Sequence, residues 1–367
     1  MYIWALSRER VIMKILILDR ILRFTELLIS NMQADKTEID VLTEDSGQKN
    51  TQSVHYITGS RRRIADLKKL RSHYHVIVDA DALVTTDIEQ IYQIVDTELY
   101  ILFSTMQVYH FLKRKIFSEE DVTNDYIEKV QFGYCDMSPS EMYIKEKLLC
   151  EKKLIDIYKG KNTRYVILRN AKVYTLQDIY RDIGWILSRV KGQVPFILNM
   201  DDIVEYGYMN PVFIEDLCSI VSKIVLNPPE KSTIFNVAQD QYHSIYDYIE
   251  YVSGCLGKEN QTEIYVLPPQ NGDELEYYKT PVTTPLLLNN KKIKGQYPIE
   301  FTDTKVWINK IVDHLQKHPE FMEDIPKRER EVLRHYITCI KKIYVQNSRM
   351  DETKKGEVIQ LYENIKE

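Results

Sequence analysis

Lys14-Ile-Leu-Ile-Leu-Asp-Arg-Ile-Leu-Arg-Phe-Thr-Glu-Leu27 joins a short apolar run to an amphipathic one with no glycine between them. The first run reads as a buried strand and the second as a helix packed against it. The same alternation repeats downstream. Strand-like runs fall at Ile15–Leu18, Ile39–Leu42, His55–Ile57, Val76–Val78, Tyr100–Phe103, Tyr165–Leu168 and Pro195–Leu198. Helical stretches at Ile64–Leu70, Thr86–Val95 and Glu141–Tyr158 lie between them.

Strands alternating with helices predict an α/β chain built on a Rossmann-like, doubly wound parallel sheet. The later half carries Asn210–Leu217 leading into a helix, then Thr233–Ala238, and a Pro/Gly loop at 268–273. The organisation expected is an extension at 1–12, a Rossmann-like domain at 13–175, a smaller substrate-type domain at 176–318 partly interleaved with the sheet, and a charged helical tail at 319–367. Val332, Tyr336, Ile340 and Ile343 give that tail an apolar stripe.

The 367 residues are 44% hydrophobic, enough for a large core and more than one domain. A net charge of −5 and a pI near 6.0 give no global basic field, so nucleic acid is not an expected partner. Five cysteines, at 135, 150, 218, 255 and 339, form no CxxC pair, which suits reduced thiols in a cytoplasmic chain. No run is long and apolar enough to span a bilayer.

Tyr143-Ile-Lys-Glu-Lys147 places a phenol and an ammonium one helical turn apart on a shared face. A lysine so placed can lower a phenol's pKa and make it a general acid/base for an alcohol proton. The competing reading is an exposed amphipathic helix in a chain with 26 tyrosines.

Several landmarks, in order, resemble the extended short-chain dehydrogenase/reductase superfamily, its NAD-dependent epimerase/dehydratase group. Phe103-Ser-Thr-Met-Gln-Val-Tyr109 is similar to the "SS-x-x-VYG" strand end, and Tyr143 with Lys147 to the active-site Tyr-xxx-Lys, with Glu151 following. Leu168-Arg-Asn-Ala-Lys-Val-Tyr174 resembles "LR-x-x-x-VYG", Val212–Leu217 "V-x-V-x-D-L", and Phe235-Asn-Val-Ala238 "F-N-V-A/G". The resemblance implies catalytic roles for Thr105, Tyr143 and Lys147: orienting a substrate oxygen, moving its proton, and tuning the phenol while binding nicotinamide ribose. It also implies NAD as cofactor, a nucleotide sugar or similar polyol as substrate, and a homodimer or heteromer as the assembly.

The departures lie in the cofactor loop. The group opens with G-x-x-G-x-x-G so that the backbone can approach a pyrophosphate. Here those positions hold Asp19, Leu22 and Thr25. Side chains there would crowd the approach, and Asp19 would set a carboxylate beside a diphosphate. His110 and Thr175 replace the glycines after the Val-Tyr pairs, and Asn170 stands where proline usually follows the arginine. Glu44 and Asp45, after the second strand, stand where an acid receives the adenosine ribose hydroxyls. The expectation is weak, altered or lost dinucleotide binding. Two readings stay open: an atypical NAD(P)-dependent epimerase, dehydratase or reductase, and a catalytically silent binding or assembly partner.

Three other features stand beside their plainer readings. His73-Tyr-His75 has the alternation of strand-borne metal ligands but no third ligand, so surface histidines at a helix end and no metal are expected. Cys135 lacks an assignable histidine partner and reads as structural. Arg61-Arg-Arg63 is either a phosphate contact or a solvated loop.

Overall fold

The computed structural model describes residues 12–20, 24–32, 37–112, 114, 116–132, 137–179, 181–194, 196–199, 208–258, 262, 264–267 and 286–321. Apolar runs form the predicted strands: β1 (Met13–Leu18), β2 (Thr37–Thr43), β3 (Val54–Thr58), β4 (His73–Asp79) and β5 (Asp96–Thr105). After the short β6 (Ile116–Phe117) come β7 (Arg164–Asn170), β8 (Val173–Tyr174), β9 (Phe196–Asn199), β10 (Val212–Phe213), β11 (Thr233–Val237), β12 (Ile264–Leu267) and β13 (Leu287–Leu288).

The main sheet has seven strands in the order β11-β7-β5-β4-β1-β2-β3, all parallel. Its order reverses between β1 and β4. In such sheets ligands bind outside the carboxyl ends of the strands at that reversal. The sequence-predicted strand at Pro195–Leu198 is found as β9, but it pairs with β12 in a separate two-stranded sheet. The seventh place in the main sheet belongs to β11.

Burial explains the continuous apolar runs. Leu16, Ile17, Ile77, Val78, Ile101, Leu102, Ile167 and Leu168 are fully covered, as central parallel strands must be when helices lie on both faces. Each such side chain contributes about 1.5–3 kcal/mol of burial. The helices include α1 (Thr25–Ser30), α2 (Ile64–Leu67), α3 (Thr85–Ile94), α4 (Asn124–Phe132), α5 (Pro139–Tyr158) and α6 (Asp182–Gly192). A later helix, Ile214–Leu226, packs on α1. Gly59 closes β3 because a Cβ there would stand 2.8 Å from Asp66 Cβ.

The chain forms two compact units. The first takes the described residues up to Tyr174 together with Met209–Tyr242 and Leu286–Thr302. The second takes the described residues within 175–208, 243–285 and 303–321, and is built on α6 and the helices Ile245–Cys255 and Thr304–Lys317. Two stretches that follow Thr175 in sequence therefore return to the first unit. The predicted tail stripe beyond 321, the 268–273 loop and Cys135 lie outside the described residues. Among the described residues no helix is long and apolar enough to cross a membrane.

Candidate active site

The site residues sit where β4, β5 and β7 end, and α5 delivers two of them. Ser138 and Glu141 form a reciprocal cap, with Glu141 N–H donating to Ser138 Oγ (3.3 Å) and Ser138 N–H to Glu141 Oε2 (2.8 Å). Pro139 at the first helical position adds a preset φ. From this fixed start Tyr143 emerges 40% exposed, whereas Lys147, one turn on, is only 4% exposed.

The Lys147 ammonium donates to Phe103 O (2.6 Å) and Ala82 O (2.9 Å), at the ends of β5 and β4. Burial pushes its pKa down, while Cys150, Asp79 and Glu151 pull it back up. Thr105 closes β5 half-buried, and its Oγ1 accepts from Gln107 N–H (3.2 Å), capping the 3-10 turn Met106–Tyr109. The structure thus brings Thr105 and Lys147 to the same end of β5, with the Tyr143 ring on the more exposed turn of α5.

The sequence landmarks behind these residues form one buried network. Glu151 accepts from Ser104 and from Arg169 (Nη2–Oε2 2.7 Å). Arg169 also donates to the Tyr109 hydroxyl (2.9 Å) and Glu119 O (2.9 Å). Tyr109 donates to Asn236 Oδ1 (2.7 Å), and Asn236 N–H to Glu119 Oε1 (2.7 Å). Burial raises the Tyr109 phenol and the Glu119 carboxyl, the latter against the pull of Asn236 N–H. Glu119 and Asn236 were not singled out as partners in the sequence; the only signal was Asn236 inside the Phe235–Ala238 landmark.

The reversal point between β1 and β4 is built differently. Asp19, 5% exposed, follows β1 and turns its Oδ2 onto the start of α1. It accepts from Phe24 N–H (3.2 Å), Thr25 N–H (3.2 Å) and Thr25 Oγ1 (2.9 Å). Those amides and the positive end of the helix are what a pyrophosphate would use. Thr25 is fully buried, and Leu22 lies outside the described residues.

Asp19 N–H donates to Leu42 O (3.3 Å) and Thr43 Oγ1 to Arg20 O (2.9 Å), tying the connection down onto β2. Arg20 faces Asp81 at 3.7 Å. Arg61 is buried in a bidentate pair with Asp79 (2.6 and 2.8 Å), and Tyr100 donates to the same carboxylate. What remains between Leu18, Asp19, Arg20, Leu42, Glu44, Gly59, Arg61 and Asp81 is a cavity of about 10 Å³, roughly one water's worth. Glu44 borders it. Asp45 turns back on its own loop, accepting from Gly47 N–H (2.8 Å). At the described positions, the start of α1 is bonded to the chain's own Asp19 carboxylate.

The basic run is likewise used internally, with Arg61 on Asp79, Arg62 on Asp87 (3.3 Å) and Arg63 on Asp66 (3.1 Å). A phosphate contact there would have to displace these carboxylates, and Arg61 is too buried for the solvated loop expected. His73 and His75 belong to β4, not to a helix end.

Sheet order and reversal point are those of a Rossmann-like, doubly wound sheet of the kind found in solved epimerase and dehydratase structures. Solved structures carry the same fold. They include dTDP-glucose 4,6-dehydratase from Bacillus anthracis in complex with NAD, at 16% identity and a TM-score of 0.60 over 86% of this chain and 100% of that one. UDP-glucose 4-epimerase from Thermus thermophilus, also with NAD, matches at 15% identity and TM-score 0.57, covering 83% and 99%. A putative epimerase from Burkholderia cenocepacia reaches TM-score 0.63 at 12% identity, covering 84% and 99%. No family profile and no curated protein matches the chain in sequence.

Proposed function

We propose that this protein is an atypical relative of the nucleotide-sugar epimerases and dehydratases that holds a dinucleotide weakly, in an altered pose or not at all. The observation that carries the reading is the Asp19 carboxylate on the Phe24 and Thr25 amides. An anion already occupies the start of α1, and a diphosphate would have to displace it and then face its charge. Each of those costs is a few kcal/mol, and about 1.4 kcal/mol is already tenfold in affinity. Nucleotide sugars are the ligand class carried over from the structural neighbours, which include UDP-glucose and dTDP-glucose enzymes. Calorimetric titration with NAD, NADH, NADP, NADPH, UDP-glucose and dTDP-glucose tests this. Dinucleotides are expected to bind no more tightly than about 1 mM. Sub-micromolar NAD binding would sink the proposal.

The second reading, an NAD(P)-dependent epimerase, dehydratase or reductase with Tyr143 as acid/base, is favoured by Lys147. Burying an ammonium costs several kcal/mol before its hydrogen bonds are counted, and α5 keeps one beside the end of β5. In that reading Thr105 orients the substrate oxygen and Lys147 tunes Tyr143. Turnover with any of these sugars that vanishes in Tyr143→Phe would establish it.

A further inference from the structure

The opposite, N-terminal ends of the strands carry a cluster that neither reading uses. β4 opens His73-Tyr74-His75, so the strand's alternation sends both imidazoles to one face while Tyr74 is fully buried on the other. β5 runs alongside with Asp96 opposite His73 and Thr97 opposite Tyr74, which sets Glu98 level with His75. One ligand atom from each of His73, His75 and Glu98 lies within 4.8 Å of the others. His73 Nε2 stands 3.8 Å from Glu98 Oε1, and His73 Nδ1 3.5 Å from Asp96. The third ligand that the sequence could not supply comes from the neighbouring strand.

We propose that His73, His75 and Glu98 form a site for a divalent transition cation of the zinc class. Two imidazoles and one carboxylate are a borderline-soft donor set that suits zinc, nickel or copper and discriminates against magnesium. A metal about 2.1 Å from each ligand needs the three atoms to close by a fraction of an ångström to about 1 Å. The side chains of His73 and Glu98, 43% and 48% exposed, are free enough to do so. Their exposure leaves the fourth coordination position to water.

The second histidine supplies an internal reporter. The Lys14 backbone N–H donates to His75 Nδ1 at 2.9 Å. That bond requires a lone pair on Nδ1, hence the ring proton on Nε2. Ligation at Nδ1 takes the lone pair directly. Ligation at Nε2 moves the ring proton to Nδ1, which can then no longer accept. Either way the metal releases the Lys14 amide to solvent.

The test uses the full chain without a histidine tag, stripped with chelator and titrated with Zn²⁺ by calorimetry. One equivalent should bind with a Kd on the order of micromolar, raise the thermal midpoint and speed hydrogen exchange at the Lys14 amide. His73→Ala and Glu98→Gln should each weaken binding about tenfold or more while leaving the metal-free melting curve unchanged. His55→Ala, on β3, should bind as the parent does, and Mg²⁺ should not bind. No Zn²⁺ binding, binding retained by the His73→Ala/His75→Ala pair, or binding with Lys14 exchange unaltered would each overturn the site.

Discussion

The two halves of the main sheet treat their buried charges differently. On the β5–β7–β11 side, Arg169, Glu151, Tyr109, Glu119 and Asn236 bind one another behind a face that still presents Thr105 and Tyr143. On the β1–β2–β4 side, Asp19 caps the start of α1, buried Arg61 holds Asp79, and the more exposed Arg20 faces Asp81. In one half the bonds form a single network; in the other they form separate local contacts.

The largest expected effects come from removing one member of each buried pair. Arg61→Met would strand Asp79 and Arg169→Met would strand Glu151, and each should cost about 3–5 kcal/mol in denaturant melts. Near-equal losses would sharpen the comparison, because both halves would then be structural. A loss under about 1 kcal/mol for Arg61→Met would break it, since the crevice charges would then be available to a ligand.

Asp19→Ala should cost about 1 kcal/mol, the usual effect of losing an acceptor at a helix start. Asp19→Asn keeps an oxygen acceptor and should cost less. Asp19→Gly should raise NAD affinity at least about tenfold over the parent chain. Unchanged binding in that variant would assign the closure to the Arg61–Asp79 pair instead.

Lys147 gives a pH test. Its folded pKa is held below the usual 10.5 by burial, so between those two values the unfolded chain binds more protons than the folded one. Stability should therefore rise with pH across that window. Lys147→Met should flatten this slope, read as the difference between the two pH profiles because buried tyrosines, which ionise first in the unfolded chain near pH 10, lower stability equally in both. Identical slopes would mean the ammonium is not buried. The smallest effect belongs to Tyr143→Phe, within about 0.5 kcal/mol in thermal melts, because the ring is 40% exposed. A larger loss would make Tyr143 part of the framework.

Much of the fold was legible because central parallel strands have to be apolar on both faces, and six of the seven main-sheet strands stand where such runs were read. The seventh was not legible. Pro195–Leu198 and Thr233–Val237 are both short apolar runs, and periodicity does not tell which sheet a run will join. Motif order singled out Thr105 and Lys147, and the structure sets both at the end of β5; the depth of Lys147 was not legible, since a lysine at that spacing suits an exposed face equally well. Asp19 was read as a charge that would repel a diphosphate. Its bonds to α1 were hidden because it sits several residues before the helix, outside the spacing of an ordinary cap. Arg61 was hidden because it lies in the turn after β3 while its partner Asp79 ends β4.

The Asp19 contact also bears on how the protein lives in a cell. An ordinary holoprotein draws part of its stability from mass action, about 2.7 kcal/mol when its ligand is at a hundred times Kd. It loses that share when the ligand is scarce. Here the acceptor for α1 is attached to the chain one loop away and is present at a fixed effective concentration. On the proposed reading, the folded fraction should be indifferent to nicotinamide supply, and a newly made chain would reach its final stability without waiting for a small molecule.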